Sequence, residues 1–407
     1  MHATRFSAAA AAIVVTLAGC SGAPSSNLTP ANAPLSPAVR KASVTETVLH
    51  SFNGSDGADP AARLTYVNGT LYGTTYSGGA HGLGTVFSIA PSGSETVLYS
   101  FAGSVDGKNP VAELTDVNGT LYGTTAGGGA HKVGTVFKIT TAGVKTVLHS
   151  FGPGSDGAVP ESGLTDLGGT LYGTTFRGGA NGFGTVFSIT TAGVEKVVHS
   201  FAGGSGSDGD GYYPRAGLAI VGSTLYGTTS SGGTCPSCAG TVFSLTTAGV
   251  ETVLHSFGGP GDGSYAQAAL TNVKNVLYGT TIFGGGGCGT TGCGTVFKIT
   301  TAGVETVLHS FGSSGDGAFP QARLTKLNGA LYGTTGSGGA HALGAVFRVT
   351  TGGAETVLYS FLGGSDGNLP QAGLADVNGT LYGTTYYGGG GACGVSGCGT
   401  VYSLSGF

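Results

Sequence analysis

Leu71-Tyr72-Gly73-Thr74-Thr75 is repeated at Leu121, Leu171, Leu225, Leu277, Leu331 and Leu381, so one unit of about 50 residues recurs seven times. Units of that size cannot bury an apolar face alone and must stack, as propeller blades or solenoid turns. Four strand candidates surround the first copy: Leu64 to Val67, Thr70 to Thr75, Thr85 to Ile89 and Glu95 to Phe101. Asn68-Gly69 is a type I′ hairpin signal between the first two, and Pro91-Ser92-Gly93, Thr-Ala-Gly in most other units, turns the third into the fourth. Both faces of these strands carry apolar residues, as blades stacked on each side require.

The two ends of the repeat array separate a ring from an open solenoid. The first repeat is preceded by a fourth-type strand, Glu46 to Phe52, and the last stops after its third-type strand, Thr400 to Leu404. Each end supplies what the other lacks, and pairing them removes an exposed sheet edge. The expectation is an all-β, seven-bladed β-propeller with four antiparallel strands per blade, closed by strand 46–52.

The units GTLYGTT, GG, GTVF and ETVLHSF resemble the GloVer repeat, a tandem repeat of bacterial exported proteins fitted with various anchors. The resemblance runs from about Glu46 to the C-terminus. It implies export and surface display, and it supplies no catalytic residues, so function has to be read from this chain.

Composition narrows the partners. Charged residues make up 9% of the chain, against about 25% in ordinary soluble domains. The 82 glycines and 14 prolines fall at fixed offsets between apolar stretches and punctuate turns. A net charge of -4 without a basic cluster excludes nucleic acid, which needs concentrated Lys and Arg.

Residues 1–19 have the layout of a secretory signal, with Arg5 followed by an apolar run from Ala8 to Leu17. Leu17-Ala18-Gly19-Cys20 resembles a bacterial lipobox, which makes Cys20 the lipidated first residue of the mature chain; a plain signal cleaved elsewhere is the alternative. Ser21 points to outer-membrane sorting. Residues 20–43, rich in Pro, Ser and Ala, read as a tether, and 44–407 as the propeller.

Apart from Cys20, the cysteines form three close pairs, Cys235 with Cys238, Cys288 with Cys293, and Cys393 with Cys398, all in the loop between second and third strands. In an exported protein these read as local disulfides, each worth about 2 kcal/mol on chain entropy. A redox pair would want a helix N-terminus, and a four-cysteine zinc site would need two blades' loops to converge.

His50, His149, His199, His255 and His309 share one fourth-strand position, occupied by Tyr99 and Tyr359 in the other copies. That exchange suits an apolar body with a polar tip, hence packing. His81, His131 and His341 share a loop position in different blades. Asp56, Asp106, Asp156, Asp208, Asp262, Asp316 and Asp366 read as equivalent Asx-turn residues between blades. Asp208 with Asp210 is too sparse an oxygen set for calcium. No metal site and no cofactor are expected.

The repeat places the inter-blade loops and the second-to-third loops on one face, here the upper face. Most aromatics occupy repeat-defining core positions, whereas Tyr76, Phe176, Phe183, Tyr212, Tyr213, Tyr265, Phe283, Phe319, Tyr386 and Tyr387 lie in upper loops. Variable aromatic loops on a rigid frame form a recognition surface, or they pack on one another. Next to the inter-blade prolines lie Glu161, Arg215, Gln321 and Gln371, with Gln267 in the fifth unit. Two positions later come Arg63, Glu113 and Arg323, and both sets are expected around the upper mouth of an axial channel. A polar ring beside tyrosines suits a hydroxyl-rich ligand. The reading is a monomeric, lipid-anchored envelope protein that binds glycan or protein without catalysis. The alternatives are a polysaccharide hydrolase or lyase using Glu113 or Glu161, and a purely structural envelope protein.

Overall fold

The computed structural model describes residues 44–203, 209–234, 239–312, 315–390 and 393–407. The expected signal and tether, Cys20, Asp208, and Cys235 with Cys238 lie outside the described residues.

Seven four-stranded antiparallel sheets form the ring. Blade 1 runs outward from the axis through Thr65–Val67, Thr70–Thr75, Thr85–Ile89 and Glu95–Ser100. Blade 7 is made from both ends of the chain, with Thr45–Ser51 outside Thr400–Ser405. Glu46 pairs with Leu404 and Ser51 with Thr400, around a register shift between Val48 and His50. The same shift marks the outer strand pair in blades 1 to 6, so the closing strand reproduces an ordinary fourth strand. The propeller and its closure stand as the sequence implied.

The core is divided into seven apolar clusters, each between two neighbouring blades. Across every junction the phenylalanine ending an outer strand meets the third-strand aromatic of the next blade edge to face, from Phe52 on Phe87 at 5.1 Å to Phe361 on Tyr402 at 5.1 Å. Such pairs add about 0.5–1.5 kcal/mol to their area burial.

The repeated pentapeptide now has a physical reading. Leu71 and Tyr72 fill the two sides of the blade. Gly73 is required because a Cβ there would lie 2.5 Å from the Phe87 ring and 2.7 Å from Leu64. Thr74 donates to the carbonyl of Ala112 in the next blade at 3.2 Å. The equivalent bond recurs at the other junctions, and at the closure Thr384 donates instead to the carbonyl of Pro60, two residues earlier in the segment, at 3.1 Å. Thr75 pairs with Thr85 inside its own blade at 2.9 Å. The motif is thus the mortar between blades rather than a binding signature.

Two of the three inferred disulfides lie within the described residues, Cys288–Cys293 and Cys393–Cys398, with Cα separations of 5.5 and 5.2 Å.

Candidate functional site at the upper channel mouth

The upper face is held by one main-chain device. The residue before each inter-blade proline has a positive φ: Asp59 58°, Asn109 54°, Val159 57°, Tyr213 61°, Phe319 58°, Leu369 56°, with Tyr265 at 58° before Ala266. Non-glycine residues avoid this region, at a cost of about 1–3 kcal/mol each. Two main-chain bonds hold it in place. Leu369 N–H donates to Leu343 O of the preceding blade at 3.0 Å, and Leu369 O accepts from Tyr386 N–H at 3.1 Å. The same two bonds form at the other six positions. Because the clamp uses only backbone atoms, the side chain on it is free to vary.

At the mouth, Tyr76, Glu161, Arg215, Gln267, Gln321, Gln371, Tyr386 and Tyr387 line one cavity of about 430 Å³ with Ala61, Val111 and Leu369. Tyr386 and Tyr387 meet edge to face at 4.8 Å. Burial pushes the Tyr386 phenol up to about 12, with Asp59, Tyr387 and Tyr76 adding to it, so it stays a neutral donor. Arg215 bonds Glu161 at 2.8 Å and lies over the Phe176 ring at 4.1 Å. Burial raises the Glu161 carboxyl, and Arg215 and Arg177 draw it partly back.

Three inferred ligand residues take other parts. Phe176 is the platform under Arg215 and Tyr213, the latter at 4.7 Å. Tyr212 and Tyr213 pack on Phe183 at 5.4 and 6.1 Å. Likewise Phe283 sits between Tyr265 and Phe319 at 5.5 and 5.6 Å. Seven of the ten loop aromatics therefore brace one another, and Tyr76, Tyr386 and Tyr387 face the cavity.

The second polar ring is not at the upper mouth. Arg63, Glu113 and Arg323 line a separate lower cavity of about 410 Å³ with Asp116, Asp166 and Asn272, and a narrower chamber of about 130 Å³ lies along the axis between the mouths. The two sets lie two residues apart in the segment that leads into each innermost strand, and two extended residues span up to about 7 Å, enough to carry a side chain from the upper cavity to the lower one. Arg63 and Arg323 approach Glu113 at 3.4 and 3.5 Å, and Arg63 Nε donates to Leu374 O across the closure at 2.8 Å. Glu113 and Glu161 thus belong to opposite mouths.

A second arrangement, at the blade junctions, escaped the sequence reading. Each fourth-strand histidine meets the Asp of the loop that follows it: His50 with Asp56 at 3.1 Å, His149 with Asp156 at 3.1 Å, His255 with Asp262 at 3.0 Å, His309 with Asp316 at 3.1 Å. In the blade 3/4 junction the partner of His199 is Asp210 at 3.2 Å. That corrects the assignment of Asp208. The spacing is fixed from the proline side, where Asp210 precedes Pro214 by four residues as Asp56 precedes Pro60. The same carboxylates accept loop amides, for example Gly152 N–H and Gly157 N–H on Asp156 at 2.9 and 2.8 Å, so the turn role holds as well.

A glutamate from the following blade completes the group. The turn between third and fourth strands lies against the preceding blade's outer strand, so closely that a Cβ on Gly93 would stand 2.8 Å from Leu49 O. Glu95, two residues on, thereby reaches His50 and Asp56. Glu46, Glu95, Glu195, Glu251, Glu305 and Glu355 each hold a carboxylate oxygen sealed from solvent without a hydrogen-bond partner among the described residues. Burial, with a neighbouring Asp adding, pushes these carboxyls up to about 7. The blade 1/2 junction departs from the rule. Lys145 replaces the glutamate and bonds Asp106 Oδ1 at 2.8 Å, while Tyr99 replaces the histidine and donates to the same oxygen at 2.7 Å. The available signal was the recurring order of His, Asp and Glu in five of the seven junctions, visible only once neighbouring units are read together.

His81, His131 and His341 are exposed and sit in blades 1, 2 and 6.

Virginiamycin B lyase from Staphylococcus aureus is a solved structure similar to this chain, with TM-score 0.57 and 16% identity over 89% of this chain and 98% of that one. The aldose sugar dehydrogenase of Streptomyces coelicolor, in its PQQ-bound form, gives TM-score 0.44 and 14% identity over 89% and 98%. At these identities the likeness to the lyase is one of fold. No curated protein sequence matches. The Gloeobacter/Verrucomicrobia repeat matches residues 38–238 and again 211–402, which together span the propeller, and the chain therefore belongs to the Gloeobacter/Verrucomicrobia repeat family.

Proposed function

We propose that this protein is a non-enzymatic binding scaffold of the bacterial cell envelope, lipid-anchored through Cys20, which takes a hydroxyl-rich glycan at the upper channel mouth. The observation that carries the reading is the composition of the upper cavity. Three glutamine amides, the Arg215–Glu161 pair and a tyrosine couple converge there from several blades. Amides and a charged pair offer donors and acceptors to hydroxyls, and tyrosine rings cover the apolar face of a sugar. Retaining or inverting hydrolysis needs two carboxylates flanking one bond, at roughly 5–10 Å, and in the upper cavity Glu161 is the carboxylate among the lining residues, paired with Arg215.

The test is a glycan array probed with oxidised protein spanning Ser43 to Phe407, beside a variant with Tyr386→Ala and Tyr387→Ala. Selective binding that the variant loses is the expected result. Silence across the array would overturn the glycan reading in favour of a protein ligand or a structural role.

A further inference from the structure

Of the 20 acidic residues in this sparsely charged chain, seven aspartates and six glutamates lie at blade junctions. Like charges gathered in partly buried positions repel unless something positive lies between them. At one junction the chain supplies that charge itself. The ammonium of Lys145, on a side chain only 2% exposed, sits 2.8 Å from Asp106 Oδ1 and 2.6 Å from Asp106 O. It extends from the strand position that carries glutamate at the other six junctions.

We propose that the His–Asp–Glu junctions bind divalent transition cations of the zinc type, with Lys145 standing in for the metal at the junction where the ligands are missing. In four junctions one ligand atom from each residue lies within 4.8 Å of the others: His50, Asp56 and Glu95; His149, Asp156 and Glu195; His255, Asp262 and Glu305; His309, Asp316 and Glu355. Ligands about 2 Å from a tetrahedral ion stand about 3.3 Å apart. The His Nε2 to Asp Oδ2 distances of 3.0 to 3.1 Å already match one edge of such a tetrahedron. The glutamate needs only a side-chain rotation to complete a face, and one of its oxygens is sealed from solvent without a hydrogen-bond partner among the described residues. Glu46 has the same sealed oxygen but no imidazole beside it, so it is the imidazole that separates the four junctions from that one. One imidazole nitrogen with two carboxylates suits zinc and its neighbours better than calcium, which prefers six or more oxygens.

The seven junctions form an internal series. Where Lys145 is present the imidazole is replaced by Tyr99, a donor that cannot share a metal at neutral pH but can share Asp106 with an ammonium. The blade 6/7 junction has Tyr359 on Asp366 at 3.0 Å and Glu46 but no imidazole, and should stay metal-free. The blade 3/4 junction, with His199, Asp210 and Glu251, has the full donor set and should bind more weakly than the four. A bound ion would tie the outer strand of one blade to that of the next, as the Lys145 ammonium does between blades 1 and 2.

The experiment is a zinc titration of the untagged, oxidised full chain after chelator treatment and thiol alkylation, read by a competing chromophoric chelator and by thermal unfolding. The expected result is four to five equivalents bound and a higher Tm with metal. Each of Glu95→Gln, Glu195→Gln, Glu305→Gln and Glu355→Gln should remove one equivalent. The double variant Tyr99→His, Lys145→Glu should gain one, which keeps the proposal testable if a loss variant fails to fold. Absence of binding by folded protein, or a stoichiometry indifferent to the glutamate substitutions, would overturn it and leave the proton as the occupant of these sites.

Discussion

The junction between blades 1 and 2 and the junction between blades 4 and 5 share a backbone and differ in charge. In the first, Tyr99, Asp106 and Lys145 form a neutral ion pair with a phenolic donor. In the second, His255, Asp262 and Glu305 bring two acids and an imidazole together. Burial would raise Asp106, but the Ala102 amide, Lys145 and Tyr99 together hold its carboxyl below the usual range. Asp262 is likewise held low, by the imidazole and two loop amides against burial. What the pair teaches is that the aspartate is the fixed element, and that its counter-charge can come from different side chains.

Truncation is the harshest way to break the comparison, because it removes parts of two junctions at once. A chain beginning at Gly54 lacks Glu46 for the blade 6/7 junction and His50 for the blade 7/1 junction, and leaves the edge Thr400–Ser405 unpaired. We expect it to oligomerise or melt well below the intact ring; a monomer with unchanged Tm in sedimentation and calorimetry would break the closure argument. Asp106→Asn should come next, at about 3–5 kcal/mol, since it strands a buried ammonium. Asp262→Asn, which loses hydrogen bonds but strands no lysine, should cost about 1–2 kcal/mol in chelator. Equal costs in urea titrations would dissolve the distinction between the junctions.

Lys145→Met is smaller and depends on pH. With Lys145 in place the Asp106 carboxyl is lowered from 3.8, so its contribution is present above that pH and fades as pH falls through the depressed folded value. The gap between wild type and Lys145→Met, about 1–3 kcal/mol for lost charge-assisted bonds, should therefore hold at neutral pH and close in acid. A gap that widens in acid would refute the assignment. The mildest is His255→Tyr in chelator, expected within about 1 kcal/mol, because Tyr99 and Tyr359 make the same bond to their aspartates at 2.7 and 3.0 Å.

Blade number, strand order and closure were legible because each rests on local signals repeated seven times: Asn68-Gly69, the glycine of the pentapeptide, and matching strands at the two ends. The depth of side chains along the channel was harder to read. Glu161 and Glu113 look alike in sequence, and only the course of the segment leading into each inner strand assigns them to opposite mouths. The His–Asp–Glu groups were read as separate residues because their members come from two blades. Glu95 lies 45 residues from His50 in the chain, and the contact depends on how the turn at Gly93 rests on Leu49. The bracing of Phe176 under Arg215, rather than its exposure, was equally a matter of packing between loops.

The main-chain clamp before each inter-blade proline has a consequence for how such a protein diversifies. Asp59, Val159, Tyr213 and Leu369 occupy one conformation with one pair of bonds, although they share neither charge, size nor branching. Seven positions encircling one face can thus change identity without renegotiating the main-chain frame, while Tyr213, Tyr265 and Phe319 also brace neighbouring loop aromatics. Lineages carrying this repeat could acquire new specificities by point substitution alone, and a combinatorial library restricted to those seven codons would sample that repertoire directly.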